Sequence, residues 1–160
     1  MRVLLIDGGR RADGAELTRA RALLEAKGHE GVPFWPVNTP GLQCANCGAC
    51  RGRGMCVADP RGGEFLRAAA DCGALLLFCP AGLLGPDIHV KNLLERAAIL
   101  APRRQPQPFA GKRAAALVLG KHASPRMFAQ AAALLRDLGC EVLPGAADLE
   151  SALAYLEGNA

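Results

Sequence analysis

The chain has 160 residues, 51% of them hydrophobic, and a net charge of +4 carried mostly by arginine. That length suits a single domain able to bury its own core, with no need of metal or disulfides merely to fold. The mild, scattered charge and the shortage of aromatics speak against nucleic-acid binding. The longest apolar runs, such as 74–79, are too short to span a bilayer. The first residues carry no signal-peptide pattern, so a cytoplasmic protein without membrane attachment is expected.

Residues 2–7 (RVLLID) are a continuous apolar run ended by Gly8 and Gly9, which reads as a buried strand. Residues 14–28 place Leu17, Ala20, Leu23 and Leu24 at helical spacing before a glycine stop. Residues 29–37 read as a second strand, and Pro33 and Pro36 put it at a sheet edge. Residues 38–58 show little periodicity and form a long Gly-, Pro- and Cys-rich insertion loop, the kind of segment that is functional or disordered.

A helix follows over 59–70 and a strand over 73–79, stopped by Pro80. Residues 87–100 form a helix with Asp87 as its N-cap or first-turn acid. A Pro-rich connector covers 102–110 and a strand 112–119. The helix 124–138 has Ser124 as cap, Pro125 at its first position and Gly139 just past its end. A short strand at 140–143 and a helix at 149–156 close the chain.

Apolar strands alternating with amphipathic helices argue for a parallel sheet covered on both faces. The predicted architecture is a flavodoxin-like α/β sandwich with a five-stranded sheet in the order 2-1-3-4-5. Ligands in such sheets sit beyond the carboxyl ends of the strands, here at loops 8–14, 80–86 and 120–123.

Four of the seven cysteines, Cys44, Cys47, Cys50 and Cys56, are spaced C-x2-C-x2-C-x5-C. A disulfide framework does not suit a cytoplasmic α/β domain. Structural zinc usually joins two separated Cys pairs, whereas this crowding, with small residues between the thiols, matches a peptide wrapped around one four-iron cluster. Zinc and bare thiols remain as alternatives. Cys72, Cys79 and Cys140 lie in or beside strands, where core packing explains them. Arg51, Arg53 and Arg61 crowd the cysteine segment, either as a solvated loop, as a docking rim for an acidic partner, or as counter-charge for an anionic cofactor.

The chain resembles the iron–sulfur flavoproteins within the NAD(P)H-dependent FMN reductase branch. The resemblance rests on the compact motif Cys44, Cys47, Cys50 and Cys56 with Gly48 and Asp59, on Pro80 followed by Lys91 and Leu93–Arg96, and on Gly111–Lys112 before a strand. It implies a 4Fe-4S cluster on those four cysteines. It also implies FMN held by Gly8, Gly9, Arg10, Arg11 and Gly14, by Pro80, Ala81, Gly82 and Leu83, and by Gly120, Lys121 and His122. Electrons would come from a ferredoxin-like protein or NAD(P)H, and the protein would be a homodimer or homotetramer.

The phosphate loop departs from the family pattern. Gly9 stands for a serine, Ala15 for an asparagine and Glu16 for a hydroxyl residue, so a carboxylate replaces a phosphate donor; Arg10 or Arg11 can offset it. Gly82 stands where the family has an aromatic ring. Lys121 or His122 can stabilise a reduced flavin, although solvated loop residues of these types are ordinary. Two functions follow. One is a redox protein passing electrons between FMN and a cluster. The other is a flavodoxin-like subunit that has lost FMN and serves as an electron-relay or assembly module on a larger partner.

Overall fold

The computed structural model describes residues 1–9, 14–36, 44, 47–53, 56–57, 61–81, 85–145 and 147–158. In chain order they form β1 (Arg2–Asp7), α1 (Ala15–Ala26), β2 (Glu30–Phe34), the short α2 (Cys50–Arg53), α3 (Arg61–Asp71), β3 (Ala74–Pro80), α4 (Ile88–Leu100), β4 (Arg113–Leu119), α5 (Pro125–Asp137), β5 (Glu141–Val142) and α6 (Leu149–Glu157). The five strands make one parallel sheet in the order β2-β1-β3-β4-β5, as predicted.

The sheet is buried on both faces, so its central strands lack the polar alternation of a one-sided sheet. Leu4, Ile6, Leu75, Leu77, Ala114 and Ala116 point to the side covered by α3, α4 and α5. Val3, Leu5, Leu76, Phe78, Ala115 and Leu117 point to the side covered by α1 and α6. Each fully buried leucine or phenylalanine contributes about 1.5–3 kcal/mol of transfer free energy. Phe34, Phe65 and Phe109 tie the end of β2, α3 and the Pro-rich connector together, with ring centroids 5.2 and 5.7 Å apart.

Helix ends follow local chemistry. The Asp87 side chain accepts the His89 N–H at 2.8 Å and caps α4. Ser124 accepts from Met127 at 3.3 Å, with Pro125 opening α5 and Gly139 past its end in the left-handed region at φ 93°. Pro33 lies on the edge strand β2 opposite Leu5, where a missing N–H costs no ladder bond.

Three local expectations change. β2 ends at Phe34, before Pro36, so it is shorter than 29–37. Pro80 is the last residue of β3, because a terminal strand position needs no donated bond; its neighbour Ala81 donates to the Leu119 carbonyl at 2.9 Å and bridges to Pro86. Within the predicted loop 38–58, Cys50–Arg53 are helical, started by a turn in which Arg51 N–H donates to the Gly48 carbonyl at 2.9 Å and Gly48 has φ 72°. Among the described residues no helix is long and apolar enough to cross a membrane.

Candidate functional site

β1 ends in Asp7 and runs into two glycines. Gly8 must be glycine, since a Cβ there would sit 2.4 Å from Val90 Cγ2 and 2.9 Å from Pro80 Cδ. Its N–H donates to the Phe78 carbonyl at 2.9 Å, pressing the first loop onto the end of β3. The Asp7 side chain is 5% exposed, and its Oδ1 accepts the Gly9 N–H at 2.8 Å. Burial pushes the Asp7 carboxyl above the ordinary aspartate value, and the Gly9 bond partly opposes it.

Beneath that loop lies a cavity of about 400 Å³ at the carboxyl ends of β1, β3 and β4, walled by Leu17, Phe78, Pro80 and Leu119 and by the carboxylate-bearing Asp7 and Glu16. Gly9 and Gly14 complete its rim. Gly14 is the N-cap of α1 and makes no side-chain cap bond, leaving the first backbone donors of the helix without one.

The apolar walls and the size fit an aromatic ring system. The phosphate end is only partly described, since residues 10–13 lie outside the described residues. Among the described lining residues there is no lysine or arginine, Glu16 lies in the first turn of α1, and the Gly9 donor already serves Asp7.

Of the residues expected at a flavin site, Gly9, Gly14 and Pro80 line this cavity, and Gly8 positions it. Gly120, Lys121 and His122 follow β4 as exposed residues and do not line it. Lys121 and His122 thus stand as solvated loop residues, because β4 ends at Leu119 and the chain turns outward through Gly120 at φ 102°. Arg10, Arg11, Gly82 and Leu83 lie outside the described residues. Asp7, Leu17, Phe78 and Leu119 were not anticipated as walls; the one sequence signal was an acid closing β1.

The four-iron expectation finds no support among the described residues. Among the described residues no three His, Cys, Asp or Glu side chains are gathered to hold a metal ion. Cys44 and Cys47 are exposed and Cys50 and Cys56 half-buried, all four as free thiols. Cys50 and Cys56 are partly buried and pack against the core. Cys72, Cys79 and Cys140 are buried, as expected of core cysteines; burial raises all three thiols, Cys79 to about 11 and Cys140 to about 12. Arg61 is tied down at the start of α3, pairing with Glu64 at 2.8 Å and lying 4.9 Å over the Phe34 ring.

Pro80 also borders a larger cleft of about 890 Å³ between α4 and α5. Its walls include Pro86, Ile88, Lys91, Leu134 and Asp137, with Gln130 reaching in from α5. Gln130 Oε1 is buried and has no hydrogen-bond partner among the described residues.

No family model and no curated protein matches the chain. Solved structures do. The flavoenzyme NAD(P)H:(acceptor) oxidoreductase FerB from Paracoccus denitrificans is similar over 98% of this chain and 91% of its own, at 18% identity and a TM-score of 0.64. A flavodoxin from Pseudomonas aeruginosa matches 99% of this chain and 91% of its own, at 17% identity and 0.58. An azoreductase from Bacillus anthracis matches 88% and 83%, at 14% identity and 0.58. Likeness at these identities is likeness of architecture, and with the observed strand order it establishes that the chain has the flavodoxin-like α/β fold.

Proposed function

We propose that the chain is a flavin-dependent redox protein whose flavin ring occupies the cavity at the ends of β1, β3 and β4. The observation that carries this reading is the position of the cavity. It lies at the carboxyl edge of the sheet where the order reverses between β1 and β3, the place where doubly wound sheets receive ligands. A bound flavin would supply hydride and single-electron chemistry. The chain itself excludes water with Leu17, Phe78 and Leu119 and holds the first loop close through Gly8.

Similarity to proteins named as an NAD(P)H:(acceptor) oxidoreductase, an azoreductase and a flavodoxin supports a redox role. In this reading NAD(P)H or a ferredoxin-like protein is the donor, and the working unit is a homodimer or homotetramer. A 4Fe-4S cluster on Cys44, Cys47, Cys50 and Cys56 has their spacing alone behind it, and no step is routed through one. Iron and sulfide analysis of anaerobically prepared protein tests it.

The test of the flavin reading is fluorescence quenching of FMN and, separately, riboflavin by the purified chain, followed by NAD(P)H oxidation. Saturable one-to-one binding of either flavin supports it; failure of both to bind overturns it. A second reading, a flavin-free relay or assembly module, is favoured by the exposed Ile88 (44%) beside the α4–α5 cleft. It predicts no flavin uptake and a partner seated against α4 and α5.

A further inference from the structure

We propose that the cleft between α4 and α5 is a second binding site, for a small aromatic amine whose ring N–H meets Gln130 and whose positively charged arm meets Asp137. The site stands apart from the flavin reading, since it uses neither the cavity beneath the first loop nor a flavin.

The cleft holds about 890 Å³, within the range of about 300–1,000 Å³ usual for small-molecule sites. Pro80, Pro86, Ile88 and Leu134 give it apolar walls. Ile88 is 44% exposed, apolar surface that a flat ring would take out of water.

One polar atom asks for a particular ligand group. Gln130 Oε1 is buried, lies 3.3 Å from where a Cβ on Gly85 would stand, and has no hydrogen-bond partner among the described residues. A buried carbonyl left without a donor costs stability that an arriving N–H recovers. Being an acceptor, this oxygen selects a donor on the ligand.

The second requirement is charge. Asp137 lines the same cleft seven residues further along α5, two turns away on the same face and about 10 Å by helical rise. The two side chains and a ring with a short arm close that span. Asp137 is also the last residue of the helix, where the dipole is negative, so carboxylate and helix end attract a cation together. Its neighbour Arg136 is exposed and is not among the described lining residues. On α4, Lys91 lies 3.7 Å from Glu95, and Asp87 Oδ1 already accepts the His89 N–H at 2.8 Å. Residues 82–84, between the lining residues Ala81 and Gly85 in the chain, lie outside the described residues; they are glycine and two leucines and bring no charged side chain.

The probes are tryptamine, indole and indole-3-acetate, which share a ring and its N–H and differ in the charge of the arm. Calorimetric titration of the full chain at neutral pH reads their affinities. Tryptamine is expected to bind one-to-one and at least about tenfold more tightly than indole-3-acetate, with indole between them. Asp137→Asn is expected to bring tryptamine down to the level of indole and to leave indole unchanged. Gln130→Met is expected to weaken tryptamine and indole about tenfold, the loss of one hydrogen bond to a buried acceptor. It is also expected to raise the melting temperature of the ligand-free chain, because it removes that acceptor. A lower melting temperature would mean that the chain already serves the oxygen, and overturns the proposal. So does indole-3-acetate binding as tightly as tryptamine, tryptamine binding indifferent to either substitution, or no tryptamine binding at millimolar concentration. A chain dimeric in sedimentation, made monomeric by Leu134→Arg and blind to tryptamine, assigns the cleft to a second copy and overturns it as well. Flavin titration of the same samples is independent of each of these outcomes, so failure here leaves the flavin reading standing.

Discussion

Lys112 Nζ donates to the carbonyl oxygen of Cys72 at 2.5 Å, joining the residue before β4 to the end of the turn that leaves α3. The same ammonium also reaches the carbonyls of Ala69 at 2.5 Å and Ala70 at 3.2 Å. Orphan carbonyls at a helix C-terminus need donors, and a cation there also suits the helix dipole. Burial depresses the Lys112 pKa, so the carbonyls hold a charge that its surroundings disfavour. Lys112→Met should destabilise the chain by about 1 kcal/mol or somewhat more, the cost of leaving part-buried acceptors unmet. Urea unfolding measures this; an unchanged midpoint would show that water replaces the ammonium without penalty.

Gly8→Ala drives a methyl group into Val90 Cγ2, Pro80 Cδ and the Phe78 carbonyl. Overpacking of this kind costs about 1–3 kcal/mol. Flavin affinity should fall together with stability, because the displaced loop is the roof of the cavity. The paired readouts are a thermal melt and a flavin titration. Loss of stability with unchanged affinity would separate the loop from the site.

Asp7 sets a pH dependence whose sign is fixed by its environment. Its folded-state carboxyl titrates above the ordinary value of 3.8 because it is buried. Between those two values the folded chain binds more protons than the unfolded chain, so this residue's contribution to stability falls as pH rises through the window. Above the window the cost is fully present. Asp7→Asn keeps an acceptor for the Gly9 N–H and loses the charge. The variant should match wild type below the window and be the more stable of the two at neutral pH. Melting temperatures compared from about pH 3 to about pH 7 decide it; a variant less stable at pH 7 would mean that the charged hydrogen bond outweighs desolvation.

The seven thiols should react in three classes. Cys44 and Cys47 are exposed, Cys50 and Cys56 half-buried against the core, and Cys72, Cys79 and Cys140 buried. Thiolate is the reacting form, and burial raises Cys79 to about 11 and Cys140 to about 12. Titration with a disulfide reagent in native buffer should consume two thiols fast and two slowly, with three appearing only on unfolding. Joint protection of Cys44, Cys47, Cys50 and Cys56 in anaerobic protein, released together by a chelator, would support the four-iron reading.

The frame was legible in the sequence because its signals are local. Val3 to Ile6 is apolar at every position because both sheet faces are covered, and Ser124–Pro125 starts α5 by side-chain and φ chemistry that needs no partner from elsewhere. Pro33 marked the edge strand for the same reason. The site was less legible. Spacing along the chain showed that Cys44 to Cys56 have the reach to converge on a metal, yet convergence depends on where the backbone goes, which spacing alone does not fix; Cys50 and Cys56 pack partly buried against the core. Glu16 was visible as a misplaced acid. Asp7 was visible only as the end of a strand; its bond to Gly9 comes from the turn that follows. The α4–α5 cleft arises from the packing of two helices separated by a strand, so no short motif could announce it.

Pro80 stands in the wall of both cavities, the smaller beneath the first loop and the larger between α4 and α5. It touches the roof through its closeness to Gly8 and is followed by Ala81, whose bond to Leu119 anchors the dividing wall to β4. One rigid ring therefore serves two chambers. An occupant that shifts this ring from one side reshapes the other, and thermodynamic reciprocity then requires each occupant to alter the other's affinity by the same factor. Coupling of that kind holds only for an occupant that displaces Pro80, so the ring is the place where it would be read.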